Sequence, residues 1–158
     1  MSNPFPLFVA AVMGTMLLST AAYAQPANSV TPPSGPDLIG MQLAQAVESF
    51  GTPQHVYPVR GDQPWQDDVV FFYSTHLYLY WFDDRVWQVR FDEHFEGTFL
   101  GLSMGASRAD AVALLGKSIA AESDWAIFQL PDRGFPVRAR LFFRAGKLSD
   151  AYIYRSDF

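Results

Sequence analysis

Three short stretches carry side chains able to do chemistry. Gly101–Gly105, GLSMG, matches the G-x-S-x-G pattern in which a serine on a strained strand-to-helix turn acts as nucleophile. Such a serine needs a base, and the three histidines, His55, His76 and His94, all precede Ser103. In α/β-hydrolases the histidine comes last, on a far larger fold. The segment FDEHFEG (91–97) gathers Asp92, Glu93, His94 and Glu96, oxygen and imidazole donors suited to a divalent cation. Its spacing fits neither an EF-hand nor HExxH, so it reads as a solvated acidic linker and no metal is expected. Arg60-Gly61-Asp62, an adhesion-type tripeptide, is too short to be specific. Asp67-Asp68 and Asp83-Asp84 read as turn and edge-strand charges. With no glycine-rich phosphate loop present, no cofactor is expected.

The elements that position these residues come in two sets. GMQLAQAVESFGTP (40–53) aligns with GASRADAVALLGKS (105–118) at a constant offset of 65 residues. Gly40 meets Gly105, Ala46-Val47 meets Ala111-Val112, and Phe50-Gly51 meets Leu115-Gly116. Each copy reads as a short helix closed by glycine, with a Ser107/Asp110 capping box in the second and Gln42 as a weaker cap in the first. Strand-forming runs follow each helix: VVFFY (69–73), HLYLYWF (76–82) and VWQVRF (86–91), then DWAIFQL (124–130), PVRARLFF (136–143) and LSDAYIY (148–154). The expected fold class is α+β. Two tandem helix-plus-antiparallel-meander repeats, 37–97 and 98–158, join into one continuous sheet with the helices packed on one face. Gly105 then has a twin in Gly40, while Ser103 has only Leu38, so the glycines of GLSMG have a structural reason to be there.

Strand alternation indicates which sheet face is open. A two-residue turn at Asp83-Asp84 puts Leu77, Leu79, Trp81, Val86, Gln88 and Arg90 on one face, and Tyr78, Tyr80, Trp87, Val89 and Phe91 on the other. A three-residue turn at Arg144–Gly146 groups Arg138, Arg140, Phe142, Leu148, Asp150 and Tyr152 against Val137, Ala139, Leu141, Ala151 and Ile153. Burying the charged set would cost several kcal/mol per group, so the second set is core. Carried to the first hairpin by the repeat, this makes Tyr78, Tyr80, Val89 and Phe91 core. The expected open face is Leu77, Leu79, Trp81, Arg90, Arg138, Arg140, Phe142 and Tyr152, a mixture enriched at protein interfaces. Two readings stand for it: a docking surface, or a face covered by the C-terminal segment or the loop 54–67.

Composition narrows the classes. The chain has 158 residues, 49% hydrophobic and 16% aromatic, with a formal charge of −5 and no cysteine. The acidic balance argues against nucleic acid as a partner, and disulfides and a thiolate site are excluded. Leu7–Leu18 is an apolar run followed by Ala22-Tyr23-Ala24, a signal-peptidase pattern that places cleavage before Gln25 and export to the periplasm or the exterior. The first six residues carry no Lys or Arg, which leaves retention as an anchor, the one expected membrane contact, as the other fate. Residues 25–36 hold four prolines and read as a linker.

A glycine, a short AxxAV…[LF]G helix and a β-meander in tandem resemble the β-lactamase-inhibitor-protein-like fold. They also resemble the small-lipoprotein component of the outer-membrane barrel-assembly machinery, with its GM[ST]xx[EQ]Vxx[LI]LGxP-like motif. Residues 40–53 keep the opening Gly-Met and closing Gly-Thr-Pro, and residues 105–118 keep the serine cap and Leu-Leu-Gly. The lipidated cysteine of one family and the disulfides of the other are absent here. The resemblance implies protein binding through the sheet face, in envelope assembly or inhibitor-like, without catalysis. The alternative is a small serine hydrolase using Ser103. Export to a bacterial envelope followed by N-terminal sequencing is expected to return Gln25 as the first residue; an intact Met1 would identify an anchor.

Overall fold

β-branched and aromatic runs, separated by residues held at positive φ, make strand the main regular structure of the described residues. The structure, a computed structural model, describes residues 35–62 and 67–157. The expected signal, 1–24, and all of the expected linker except Gly35 and Pro36 lie outside the described residues. A 3-10 turn, Gly35–Leu38, leads to helix α1 (Leu43–Phe50) and strands β1 (His55–Val59), β2 (Asp68–Tyr73), β3 (Leu77–Phe82) and β4 (Arg85–Phe91). Strands β5 (Thr98–Phe99) and β6 (Leu102–Ser103) form a small hairpin. Helix α2 (Arg108–Leu115) precedes β7 (Ala120–Ala121), β8 (Trp125–Gln129), β9 (Val137–Arg144) and β10 (Lys147–Arg155). Eight strands pair antiparallel in the order β1-β2-β3-β4-β10-β9-β8-β7. The fold is α+β, mostly a large antiparallel sheet with two helices. Four strands of the large sheet follow each helix, where three were expected. The extra ones, β1 and β7, lie at the two edges, and Pro58 is tolerated in β1 because an outer strand has spare N–H positions.

The helices start and stop as their sequences dictate. Ser107 Oγ accepts from the Asp110 N–H at 3.2 Å while Asp110 Oδ2 accepts from the Ser107 N–H at 2.8 Å. The Gln42 N–H reaches Gln45 Oε1 at 2.9 Å. Gly51 and Gly116, at φ 74° and 81°, donate back to Val47 and Val112. Each helix buries one residue, Ala46 or Ala111.

Two bulges decide the faces of the sheet. Asp83-Asp84 and Ala145-Gly146 are two-residue turns with both φ positive, the type I′ signature. The pairing runs Trp81 with Val86, then Tyr80 with Gln88, which leaves Trp87 as the extra residue. On the other hairpin Leu148 pairs with Phe143 and Asp150 with Phe142, leaving Ser149 extra. Past Trp87 every side chain of β4 falls on the face opposite to that of an uninterrupted ladder. Leu77, Leu79 and Trp81, expected on the open face, are therefore core, only 4%, 0% and 7% exposed. Tyr78 and Tyr80, expected in the core, lie on the open face beside Gln88 and Arg90. Leu148, expected on the open face, is buried as well.

The core side carries Leu77, Leu79, Val89 and Phe91 from the first half and Val137, Ala139, Leu141, Ala151 and Ile153 from the second. Ala46, Ala111 and the aromatics Phe95 and Phe99 close over them, with Phe91 stacked on Phe99 at 4.7 Å. Leu79→Ala is therefore expected to cost about 2–5 kcal/mol, whereas Gln88→Ala stays within about 0.5 kcal/mol. Urea denaturation of both variants checks the assignment of faces.

Candidate functional site

The open face runs across both halves of the sheet. Tyr57 and Phe72 lie near one edge, followed inward by Tyr78 and Tyr80, then Trp87, Gln88 and Arg90. Past the central β4–β10 pairing come Tyr152, Tyr154 and Asp150, then Arg138, Arg140 and Phe142, then Trp125 and Ile127. Apart from exposed Tyr57, these side chains are half-buried by lateral contact with one another. Val70 on this face is fully buried, outside the main core, and is flanked in register by Tyr57 and Tyr80. Among the described residues, the helices and the β5–β6 hairpin place their buried side chains in the core on the other side. Of the two expected covers, residues 55–59 extend the sheet as β1 and the C-terminal residues through Arg155 belong to β10, while residues 63–66 of the loop lie outside the described residues.

Several polar groups on this face are held by partners. At the centre, Arg90 donates to both oxygens of Asp150, at 2.7 to 3.1 Å, and lies over the rings of Tyr78 and Tyr152. The hydrogen bond to Asp150 raises the Arg90 pKa and fixes its charge. Burial pushes Tyr80 up to about 12 and raises Tyr152 too, so both stay phenols at neutral pH. Trp87 Nε1 donates to Asp68 Oδ1 at 3.0 Å, while burial raises the Asp68 carboxyl. Of the residues expected to dock a partner, the structure brings Arg90, Arg138, Arg140, Phe142 and Tyr152 together on one face. Sequence reasoning missed Tyr78, Tyr80, Trp87 and Trp125; for the first three the missing signal was the bulge.

The other chemistry-bearing stretches disperse. Leu100 and Gly101, both at positive φ, form the β5–β6 turn, and Gly105 at φ 84° occupies the same kind of position as Gly40 at 86°. Ser103 is exposed within β6, several residues before α2 begins. Among the described residues no hydrogen bond joins its hydroxyl to a histidine. In 91–97, Asp92 is not a solvated linker residue: His76 Nδ1 lies 3.0 Å from its Oδ2, Tyr78 donates at 2.7 Å, and the His94 N–H caps Oδ1 at 2.9 Å. Glu93 instead pairs with Arg144 across the sheet, at 2.8 Å. Among the described residues no three His, Cys, Asp or Glu side chains converge as ligands for a metal. Arg60 of the Arg-Gly-Asp tripeptide is engaged by Asp67.

No protein-family model matches the chain, and no curated protein matches it. Among solved structures, an extracellular protein containing a SCP domain from Bacillus anthracis str. Ames is similar, with a TM-score of 0.57 and 10% identity. The likeness covers 86% of this chain and 50% of that one, so this chain spans about half that protein's length. At this identity it is a likeness of fold alone.

The Asp92 cluster makes a pH prediction. Burial alone would raise this carboxyl, but the hydrogen bonds from His76, Tyr78 and the His94 N–H outweigh it and lower the pKa. A carboxyl lowered in the folded state contributes stability above its unfolded value, and that contribution is lost as pH falls through the folded value. Asp92→Asn is expected to cost about 1–3 kcal/mol at pH 7, and the difference from wild type should shrink below about pH 4. Urea midpoints at several pH values check this.

Proposed function

We propose that this chain is an exported, non-enzymatic protein-binding domain that docks a partner through the open face of its sheet. One observation carries the reading: a continuous band of half-exposed tyrosine, tryptophan and arginine side chains crosses both halves of the sheet. Among the described residues nothing is packed over it. Aromatic rings and arginine supply most of the energy at protein interfaces, because they bury large areas for few rotatable bonds. We read α1 with β1–β4 and α2 with β7–β10 as two copies of one unit. Their equivalent glycines, helix caps and bulges support that reading, as does the resemblance of residues 40–53 and 105–118 to two families that act by binding proteins. Export to the periplasm or exterior follows from the signal-like N-terminus and agrees with the extracellular setting of the Bacillus anthracis protein of similar fold.

A photo-crosslinking residue placed at Tyr80 or Tyr154 in cells is expected to give a discrete protein adduct. The same residue at Val47 or Leu114, exposed on the helices, is expected to give none. Equal adducts from both sides, or none from the face, would remove the docking assignment.

A further inference from the structure

Two arginines on the open face sit in matching surroundings and differ in one respect. Arg90 lies 5.0 and 5.6 Å from the ring centres of Tyr78 and Tyr152 and holds the Asp150 carboxylate with two of its nitrogens. Arg140 lies 4.8 and 5.0 Å from the ring centres of Trp125 and Phe142. Among the described residues no carboxylate or other acceptor is hydrogen-bonded to Arg140, and its Nε is buried without a partner. Two residues earlier, Arg138 reaches only the neutral Gln129 side chain, at 3.4 Å.

Rings on either side hold the planar guanidinium partly dehydrated and fixed in direction, which suits it to a carboxylate that arrives already oriented. The chain as a whole carries −5, so two arginines without a carboxylate partner form a local reversal of sign. Both line a shallow trough of about 540 Å³ whose walls include Trp87, Tyr152 and Tyr154.

We propose that this trough recognises a protein segment presenting an Asp or Glu carboxylate, which the Arg140 guanidinium takes through its terminal nitrogens. Side chains flanking that carboxylate lie on Trp87 and the two tyrosines. The proposal rests on the docking reading and gives its partner a chemistry. Polyphosphate is a poorer occupant, because its dense charge is repelled by the acidic remainder of the chain, whereas one carboxylate matches one guanidinium fork.

The test titrates the labelled domain with a blocked SEWES peptide, its SQWQS counterpart and inorganic phosphate, reading arginine Nε–H and tryptophan indole NMR signals. Arg140, Trp87 and Trp125 are expected to move saturably with SEWES, and SQWQS to bind at least about tenfold more weakly. R140M is expected to erase the difference between the peptides, and R140K, which keeps the charge without the fork, to recover only part of it. Both variants must melt as the wild type does. Equal binding of the two peptides, a response to phosphate at the concentrations where SEWES acts, or wild-type SEWES binding by R140M would each overturn the proposal. The docking reading fails separately. Crosslinks from Tyr80 and Tyr154 that persist at full yield in R140M overturn the carboxylate site alone, whereas their absence from the wild type removes docking itself.

Discussion

Two short backbone exchanges set the arrangement of this protein. The Gly40 N–H donates to the Val86 carbonyl at 2.7 Å and the Val86 N–H donates to that of Met41 at 3.0 Å. Gly105 and Ala106 do the same with Leu148, both bonds at 2.8 Å. Each exchange lies between a type I′ turn and the bulge that follows it. The glycine, at a φ that costs other residues energy, turns the chain so that the next residues meet the strand and the helix begins. Helix entry, hairpin and bulge are therefore one unit. An extra residue in β4 and another in β10 let the strands satisfy the helix-entry segment and still continue their ladders.

The open face follows from this constraint. With the bulge in β4, the aliphatic residues of β3 turn to the helices and its tyrosines turn outward, level with those of β10. Arginines from β4 and β9 then lie among rings rather than in open water. Among the described residues no layer covers this face, and its charged groups are kept there because their stems are packed and their heads either paired or stacked. The Arg90–Asp150 pair joins the two halves at their common border, where β4 meets β10. Its two hydrogen-bonded oxygens and flanking rings make it a better-defined contact than an exposed ion pair would be.

At the end of the sheet, the turn between β2 and β3 holds His76 at φ 62° with its ring beside Asp92. Tyr78, from the open face, donates to the same carboxylate. This ties the acidic segment after β4 to the sheet and lets Phe95 bury its ring against Phe91, at 4.6 Å. Residues whose types suggest a cation site act instead as a polar clasp at the edge of the core.

Much of this was legible in the sequence. Ser107 with Asp110 and the glycines that close each helix are local signals, since every group involved lies within one turn of chain. The six strand-forming runs fall on β2, β3, β4, β8, β9 and β10, and the charged residues of β9 placed that hairpin the right way up. The edge strands were not legible: HVYPV contains a proline, and two alanines have no strand character until a partner pairs with them. The faces of β3 were not legible either, because Leu77, Leu79 and Trp81 alternate as cleanly with Tyr78 and Tyr80 whichever set is buried. The sequence by itself determined the elements and their alternation, which depend on neighbours along the chain. Only tertiary structure decided which side of β3 became core. A strand's side chains reverse with one inserted residue, and the bond that demands the insertion comes from a segment more than forty residues away.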